Sequence, residues 1–370
     1  MNICLVSQEY PPETGWGGIG TYILNLSHAL VAEGHNVCVV ALSTNWRTHR
    51  FVDRNVNVVR LHHPPSSFLR TTAGTIFYSQ QVALTVFALA KRYDGNLIVE
   101  APEWFAEAFG LAIRRHNFPV IVKLHTPHFL TTQLNRIREW KAMDWLEQTA
   151  AQRADAVHAP SKAIAAIVGE KWGIPLSKIE ILPYPVDTEK YYPHQVPANH
   201  SPLVLFAGRL ERRKGVLTIA RAIPQVVSSN SDAHFVFIGR DMLDTDGQSM
   251  RHKICSYLEK SAMKAKISFY GEMSRNEIVS WYQRADITLI PSLWENFPNV
   301  CLEAMACGSA VIACGVGGIT EIIENGVDGI LISPDDPGQL ADAINDLLAN
   351  PARRIEFGAL ATRKIRRKYS

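Results

Sequence analysis

Short β-branched runs alternate with helix-period stretches along almost the whole chain, and no other feature restricts its fold so strongly. Runs at 3–6, 37–42, 56–61, 97–100, 120–124 and 156–159 are followed by a second series at 203–207, 234–238, 267–270, 287–290, 310–313 and 329–332. A helix between two strands carries the chain back to the edge where it began, so the strands it joins pair in parallel. Two series therefore predict two open α/β sheets. Between them stand Pro183, Pro185, Pro193 and Pro197, which fix φ and keep the preceding residues out of the helical region, as suits an extended connection. A chain of 370 residues also exceeds what one core usually organises. The expected division is a first domain at 1–190, a second at 191–352 and a terminal helix at 353–370.

Composition excludes several classes. Lys plus Arg number 38 against 35 Asp plus Glu, a formal charge of +3, without the basic excess of nucleic-acid binders, so no nucleic-acid partner is expected. With 47% hydrophobic and 20% charged residues the balance is that of a globular protein. Met1-Asn2-Ile3-Cys4-Leu5-Val6 enters a strand without the basic start of a secretory signal, and a cytoplasmic protein is expected. The most apolar helical stretch, 82–90, is well short of the roughly 18 residues that cross a bilayer and reads as a core helix. Cys4, Cys38, Cys255, Cys301, Cys307 and Cys314 show no Cys-x-x-Cys spacing and read as reduced thiols rather than metal ligands.

Open parallel sheets bind ligands beyond the carboxyl ends of their strands, and the informative residues fall there. After the first run come Ser7-Gln8-Glu9-Tyr10-Pro11-Pro12 and then Gly15-Trp16-Gly17-Gly18-Ile19-Gly20, leading into a helix expected over 21–33 and stopped by Gly34. Glycines at a helix start let backbone N–H groups approach an anion, although the spacing is not the dinucleotide fingerprint and a plain turn fits as well. In the second half the run 203–207 ends in Gly208-Arg209, and Lys214-Gly215 stands just before the next helix. An Arg fork and a movable Lys charge at one strand tip suit a diphosphate; a solvated charge cluster with Glu211, Arg212 and Arg213 is the bland alternative.

The richest segment is Pro291-Ser292-Leu293-Trp294-Glu295-Asn296-Phe297-Pro298-Asn299-Val300-Cys301-Leu302-Glu303. The run 287–290 passes through this polar loop into a helix expected to begin near Asn299. Glu295 in the loop and Glu303 inside the helix are expected to face one ligand lying across the helix start. Backbone N–H groups near Phe297, Asn299 and Val300 would point to the same place, with Asn296 and Pro298 completing the loop. Carboxylates accept hydrogen bonds, which suits vicinal hydroxyls on ribose or a hexose.

Taken together, Gly17-Gly18, His125 after the run 120–124, Gly208-Arg209 with Lys214-Gly215, Glu295-x7-Glu303, and Gly317-Gly318 with Glu321 and Asn325-Gly326 resemble glycosyltransferase family 4. These are the retaining, glycogen synthase-like group 1 glycosyltransferases of the GT-B superfamily, and the resemblance covers most of the chain. It implies two Rossmann-like domains flanking a deep cleft, with the C-terminal helix returning to the first. It implies transfer of a hexosyl group from a nucleotide-diphosphate sugar, a UDP-sugar by family frequency, to a glycan or lipid-linked glycan acceptor, with retention and with no metal or cofactor. Arg209 and Lys214 would neutralise the leaving diphosphate, Glu303 would hold the ribose hydroxyls and Glu295 those of the transferred sugar. His125 would lie near the reacting carbon or the sugar 6-hydroxyl, and Gly17 and Gly18 against the diphosphate or sugar. Arg240, Glu272 and Met273 would lie beside the base. The departing phosphate oxygen would take the acceptor proton, so no protein nucleophile is needed. The chain departs from the family pattern at Gly239-Arg240-Asp241, where a second glycine is common, and at Tyr184-Pro185 in place of Asn-Gly.

Several alternatives stay open at this level. Asp244-Thr245-Asp246 could mimic a cation-binding Asp-x-Asp, and an epimerase or a nucleotide-sugar sensor would share such a body. A dehydrogenase lacks its ribose-binding acid, since Ser43-Thr44 follow the run 37–42. His62, His63 and His128 read as solvated or core residues. Acceptor recognition is expected from 46–51, 68–70, 100–105 and 126–141, with peripheral membrane contact motivated by Arg136, Arg138 and Lys141. Arg363, Lys364, Arg366, Arg367 and Lys368 complement the dipole of a last helix over 351–367, leaving solvent, membrane or the first domain as its surroundings.

Overall fold

The computed structural model describes the chain except Trp16, Trp46, 63–65, Arg70, Arg136, 195–200 and 260–265, so Trp16, Trp46, His63, Arg70, Arg136 and Pro197 among the positions singled out above lie outside the described residues. The chain forms two compact units, Met1–Pro185 and Val186–Ser370.

The first unit contains β1 (Asn2–Ser7), β2 (Asn36–Leu42), β3 (His49–Asp53), β4 (Val56–Leu61), β5 (Ile98–Pro102), β6 (Val120–Lys123), β7 (Ala156–Ala159) and β8 (Ile179–Ile181). Its helices are α1 (Gly18–Ala32), α2 (Ser66–Leu69), α3 (Thr72–Arg92), α4 (Phe109–Ala112), α5 (His128–Asn135), α6 (Lys141–Arg153) and α7 (Lys162–Trp172). The sheet order is β3-β4-β2-β1-β5-β6-β7-β8, parallel except where β3 pairs with β4. All six expected runs are strands. The two that periodicity did not reveal are the edges: β3 carries charge at both ends of a five-residue ribbon, and β8 has only three residues. Helix α1 starts at Gly18, three residues earlier than expected, and ends as Gly34 takes a φ of +81° that a side chain would resist.

Helix α3 is long and apolar enough to cross a membrane, the one such helix among the described residues. It instead buries Tyr78, Val82, Val86 and Ala90, and a Cβ on Gly110 of α4 would stand 2.2 Å from Ser79 O, so the two helices touch backbone to backbone. The reading of 82–90 as a core helix agrees with this packing.

The second unit contains β9 (Leu203–Ala207), β10 (His234–Ile238), β11 (Ile267–Tyr270), β12 (Ile287–Ile290), β13 (Ala310–Cys314) and β14 (Ile330–Ile332). Helices α8 (Val216–Ser229), α9 (Met250–Glu259), α10 (Arg275–Arg284), α11 (Asn299–Ala306), α12 (Ile319–Ile322), α13 (Pro337–Ala349) and α14 (Pro351–Lys368) complete it. Its order, β11-β10-β9-β12-β13-β14, is parallel throughout. The winding reverses between β9 and β12, as it does between β1 and β5 in the first unit, and loops that follow such strands border a ready-made crevice.

One apolar face of α8 (Ile219, Ile223, Val226) and one of α13 (Leu340, Ile344, Leu347) close over Val204, Phe206 and Phe237 of the sheet. The last helix, α14, buries Phe357, Ala361 and Ile365 within this unit. Thr362 Oγ donates to Met305 O at 3.1 Å, Lys364 pairs with Asp328, and a Cβ on Gly358 would meet Gly308 O at 2.1 Å. Val186 N donates to Tyr369 O at 2.8 Å, so the unit's first residue is bound to its last turn.

Candidate active site

The loop after β9 is shaped by glycines that sit where no side chain fits. Gly208 has φ +149°, and a Cβ on Gly239 would lie 2.1 Å from Gly208 O, so the tips of β9 and β10 touch. Arg209 follows with its side chain 54% exposed and Glu211 at 3.3 Å. Residues Arg212–Lys214 make one 3-10 turn, which Gly215 closes at φ +70° before α8 begins. A Cβ on Gly215 would stand 1.9 Å from Pro291 O, so glycine alone lets this loop lie against the loop after β12.

That contact brings the charges together. Leu293 N donates to Arg213 O at 2.8 Å, and Arg213 donates to Trp294 O at 3.2 Å and to Glu211 at 2.8 Å. Lys214 Nζ pairs with Glu295 Oε1, which also accepts from Ser292 Oγ at 2.7 Å, while Arg213 lies 4.0 Å from Oε2. From the other side a Cβ on Gly317 would meet Glu295 O at 1.9 Å, and Gly318 N donates to that oxygen at 3.0 Å. Glu295 is therefore held by its side chain and its backbone from two separate loops. Burial pushes its carboxyl up, but Lys214 and Arg213 outweigh it and hold the group below its ordinary value. Burial likewise lowers Lys214, with Glu295 opposing.

Glu303 is placed differently. It stands about one turn into α11, and Tyr282 of α10 donates to its Oε2 at 3.2 Å. Burial raises this carboxyl above its ordinary value, with Arg275, Tyr282 and Tyr191 opposing. The two carboxylates thus have separate surroundings, one among cations and one beside phenols. Helix α11 begins at Asn299 as expected, with Pro298 as its N-cap residue and no side-chain cap bond there. Asn296 and Phe297 are buried, and the Phe297 ring lies 5.7 Å from that of Tyr369.

Beyond the tips of β10 and β11 is a cavity of about 280 Å³ lined by Gly239, Arg240, Tyr270, Gly271 and Glu272 among others. Met273 follows in the turn ahead of α10. A larger hollow of about 630 Å³ beside Gly326 and α14 holds none of the strand-tip charges.

In the first unit, Glu9 lies under the glycine loop. Its Oε2 accepts from Gly20 N at 3.0 Å, and Cβ atoms on Gly15 and Gly17 would meet its side chain at 2.5 Å and 3.0 Å. The start of α1 is therefore already faced by a carboxylate of the chain itself, packed against Gly15 and Gly17, while the Cβ position of Gly18 has open space. His125, just past β6, is 5% exposed. Its backbone N–H donates to both oxygens of Glu103 at 2.8 Å, and its Nδ1 shares a hydrogen bond with the Tyr184 hydroxyl. Burial, and then the nearby Lys123 ammonium, lower this imidazole to about 3. Burial also raises Glu103 to about 8 and lowers Lys123 to about 8.

Comparison with known proteins now decides the family. Residues 187–364 match the family described as "Glycosyl transferases group 1", and residues 17–185 match "Glycosyl transferase 4-like domain". The chain is a group 1 glycosyltransferase. A D-inositol 3-phosphate glycosyltransferase of Xylanimonas cellulosilytica is 28% identical, covering 96% of this chain and 89% of that protein. Sucrose-phosphate synthase from Thermosynechococcus elongatus shares its fold with a TM-score of 0.85 at 22% identity, over 100% of this chain and 95% of that one. Anabaena HepE in complex with UDP-glucose matches with a TM-score of 0.75 at 18% identity, over 100% and 96%. The glycosyltransferase has the GT-B fold of these neighbours.

Several site residues of this glycosyltransferase escaped sequence reasoning. Lys123 interrupts an otherwise apolar strand and is 2% exposed, a signal that was available, since a buried lysine implies a partner. Arg213 and Ser292 lay inside the segments singled out, but Arg213 reaches Glu295 only across the two loops, while Ser292 donates to it from within the same loop. The alternative of a cation on Asp244-Thr245-Asp246 meets a physical objection. Lys253 pairs with both carboxylates, at 2.8 Å from Asp246, and Arg212 stands 3.3 Å from Asp244. Their hydrogen bonds hold Asp244 down at about 2. The lysine occupies the position between the acids that a divalent ion would take. His128 is half-buried, and its backbone N–H donates to Glu147 at 2.8 Å.

Proposed function

We propose that this glycosyltransferase moves a hexosyl group from a UDP-sugar to a glycan or lipid-linked glycan, with retention and without a divalent ion. The observation that carries this reading is the convergence of Lys214 and Arg213 on one buried carboxylate beside the exposed Arg209, at the point where the β9 and β12 loops lock together. Fixed cations at a strand tip suit a diphosphate, and the likeness to HepE, solved with UDP-glucose, supports uridine as the base. The 280 Å³ cavity by Arg240 and Glu272 suits a base beside that diphosphate.

In the reaction the bond between the anomeric carbon and the diphosphate oxygen breaks, and Arg209 and Lys214 stabilise the charge that develops on the leaving oxygens. The acceptor hydroxyl attacks from the same face, and its proton passes to the departing phosphate oxygen. Glu295 does not act as a nucleophile. Its Oε1 is held by Lys214 and Ser292, and its task is to accept from sugar hydroxyls and to orient Lys214. His125 stays neutral at physiological pH and serves as a hydrogen-bonding group rather than an acid. Glu303 receives the ribose hydroxyls. The positive charges of the clamp perform the electrostatic task for which other transferases use a cation.

The acceptor belongs to the first domain, and the protein works in the cytoplasm with peripheral membrane contact. Ile137 and Trp145, 55% and 57% exposed, flank the exposed Arg138 and Lys141, a mixed apolar and basic surface of the kind that anionic lipid attracts. Thermal unfolding with UDP, GDP or ADP, and UDP release from UDP-glucose with and without excess chelator, test the donor half. UDP alone is expected to raise the transition, as a ligand of the native state does by mass action. Turnover should survive the chelator; a rate abolished by it, or stabilisation by GDP or ADP in place of UDP, would overturn the assignment.

A further inference from the structure

A buried hub at the end of β6 joins the first sheet to the last residues of its domain. Lys123 Nζ donates to Leu182 O at 2.6 Å and lies 5.3 Å and 5.5 Å from the ring centres of Tyr22 and Tyr184. Tyr22 rests 5.6 Å from the His125 ring and 5.0 Å from that of Tyr184, and its hydroxyl donates to Glu100 at 2.8 Å. Glu103 receives the backbone N–H of His125, and the Tyr184 hydroxyl meets its Nδ1. His125 is thus fixed at its backbone by Glu103, just past β5, and at its ring Nδ1 by Tyr184 near the end of the domain.

A buried imidazole beside an ammonium stays neutral, and a neutral imidazole carries a single N–H. Which nitrogen bears it is set by the group the other nitrogen meets. A phenol is a stronger acid than a neutral imidazole N–H, so in this pair the hydroxyl is the better donor and Nδ1 the acceptor. The remaining N–H then belongs to Nε2.

We propose that Tyr184 is a positioning residue: its hydroxyl donates to Nδ1 and holds His125 in the Nε2–H tautomer, so that His125 offers the transferred sugar a hydrogen-bond donor and never a base. The inference deepens the functional reading above and rests on its placement of His125 at the sugar. Tyr184 stands next to the residue at which the first unit ends, so the last residues of that unit set the protonation pattern of the site.

The test uses the full chain labelled with 15N-histidine, the His125 signals being identified by their loss in His125→Asn. Long-range proton–nitrogen correlation should show Nδ1 unprotonated and Nε2 protonated, unchanged from pH 6 to pH 8. Tyr184→Phe retains the ring and its packing but removes the donor. In that variant the two nitrogens should move toward the averaged shifts of mixed tautomers, and the kcat for UDP release from UDP-glucose should fall about tenfold while KM stays within twofold. A protonated Nδ1 in the wild-type protein overturns the proposal without recourse to any variant, as does a tautomer unchanged in Tyr184→Phe. A tautomer that shifts as described while Tyr184→Phe and His125→Ala both retain wild-type rates would overturn the role in transfer. That result would trace the failure to the placement of His125 rather than to its hydrogen bond.

Discussion

Replacing Lys214 with methionine separates what the Lys214–Glu295 pair does for folding from what it does for the donor. Glu295 is 7% exposed, so Lys214→Met leaves a carboxylate in a dry site with Ser292 and, at 4.0 Å, Arg213. Breaking a buried pair in this way typically costs about 3–5 kcal/mol. The support that remains puts this case at the lower end, about 3 kcal/mol, or roughly 6–12 °C in the transition of a domain of this size. Removing both charges, in Lys214→Met with Glu295→Gln, should bring stability back to within about 1 kcal/mol of wild type, because neither charge is then stranded. Affinity for UDP should not recover. Charge-assisted hydrogen bonds to the diphosphate contribute about 1.5–3 kcal/mol, so both proteins should bind UDP about 10–150-fold more weakly. The sign of the pH dependence follows from the carboxylate. Glu295 is held below its ordinary value, so its stabilisation is present above that value and is lost as pH falls through the folded one, and wild type should lose stability in acid relative to the double variant, which lacks the titrating carboxyl. Urea unfolding followed by tryptophan fluorescence, and calorimetric titration with UDP, measure the two quantities. Losses in the single variants that simply add in the double variant would refute the coupling, and unchanged UDP affinity in Lys214→Met would refute the clamp.

Two further outcomes are expected. Gly215→Ala combines a φ of +70° with a Cβ 1.9 Å from Pro291 O, so it should destabilise the second domain by more than about 3 kcal/mol and weaken UDP binding with it, as unfolding and titration would show. A protein that unfolds like wild type would mean the two loops separate without penalty. The full chain should sediment with vesicles containing anionic lipid at low salt and be released at high salt, and Arg138→Glu with Lys141→Glu should abolish the retention. Indifference to the vesicles removes membrane contact from the proposed function.

Much of the second domain could be read in advance because its information is local. A short apolar run such as 203–207 declares a buried strand, and Gly215 ahead of Val216 marks where its helix begins. Edge strands were harder. In β3 the residues His49, Arg50 and Asp53 break the apolar pattern, since one side of an edge ribbon need not be buried. The glycine loop of the first domain suits either an anion or a plain turn by its sequence, and Glu9, eleven residues before Gly20, lies against it. Nothing in the spacing of Glu9 announces that contact.

Periodicity and strand-tip chemistry, both written within a few residues of one another, were enough to determine a pair of parallel α/β units and to locate Arg209, Lys214 and Glu295 in the loops that follow strands and Glu303 in the helix after one of them. Only the folded chain decided which of these groups meet. Lys214 and Glu295 are 81 positions apart and come together because β12 lies beside β9 in the sheet, whereas Glu303, eight residues from Glu295, turns to Tyr282 on another helix. Strand order is settled by how whole sheets bury their faces, and a charge acquires its partner, its ionisation and its use only after that packing is complete.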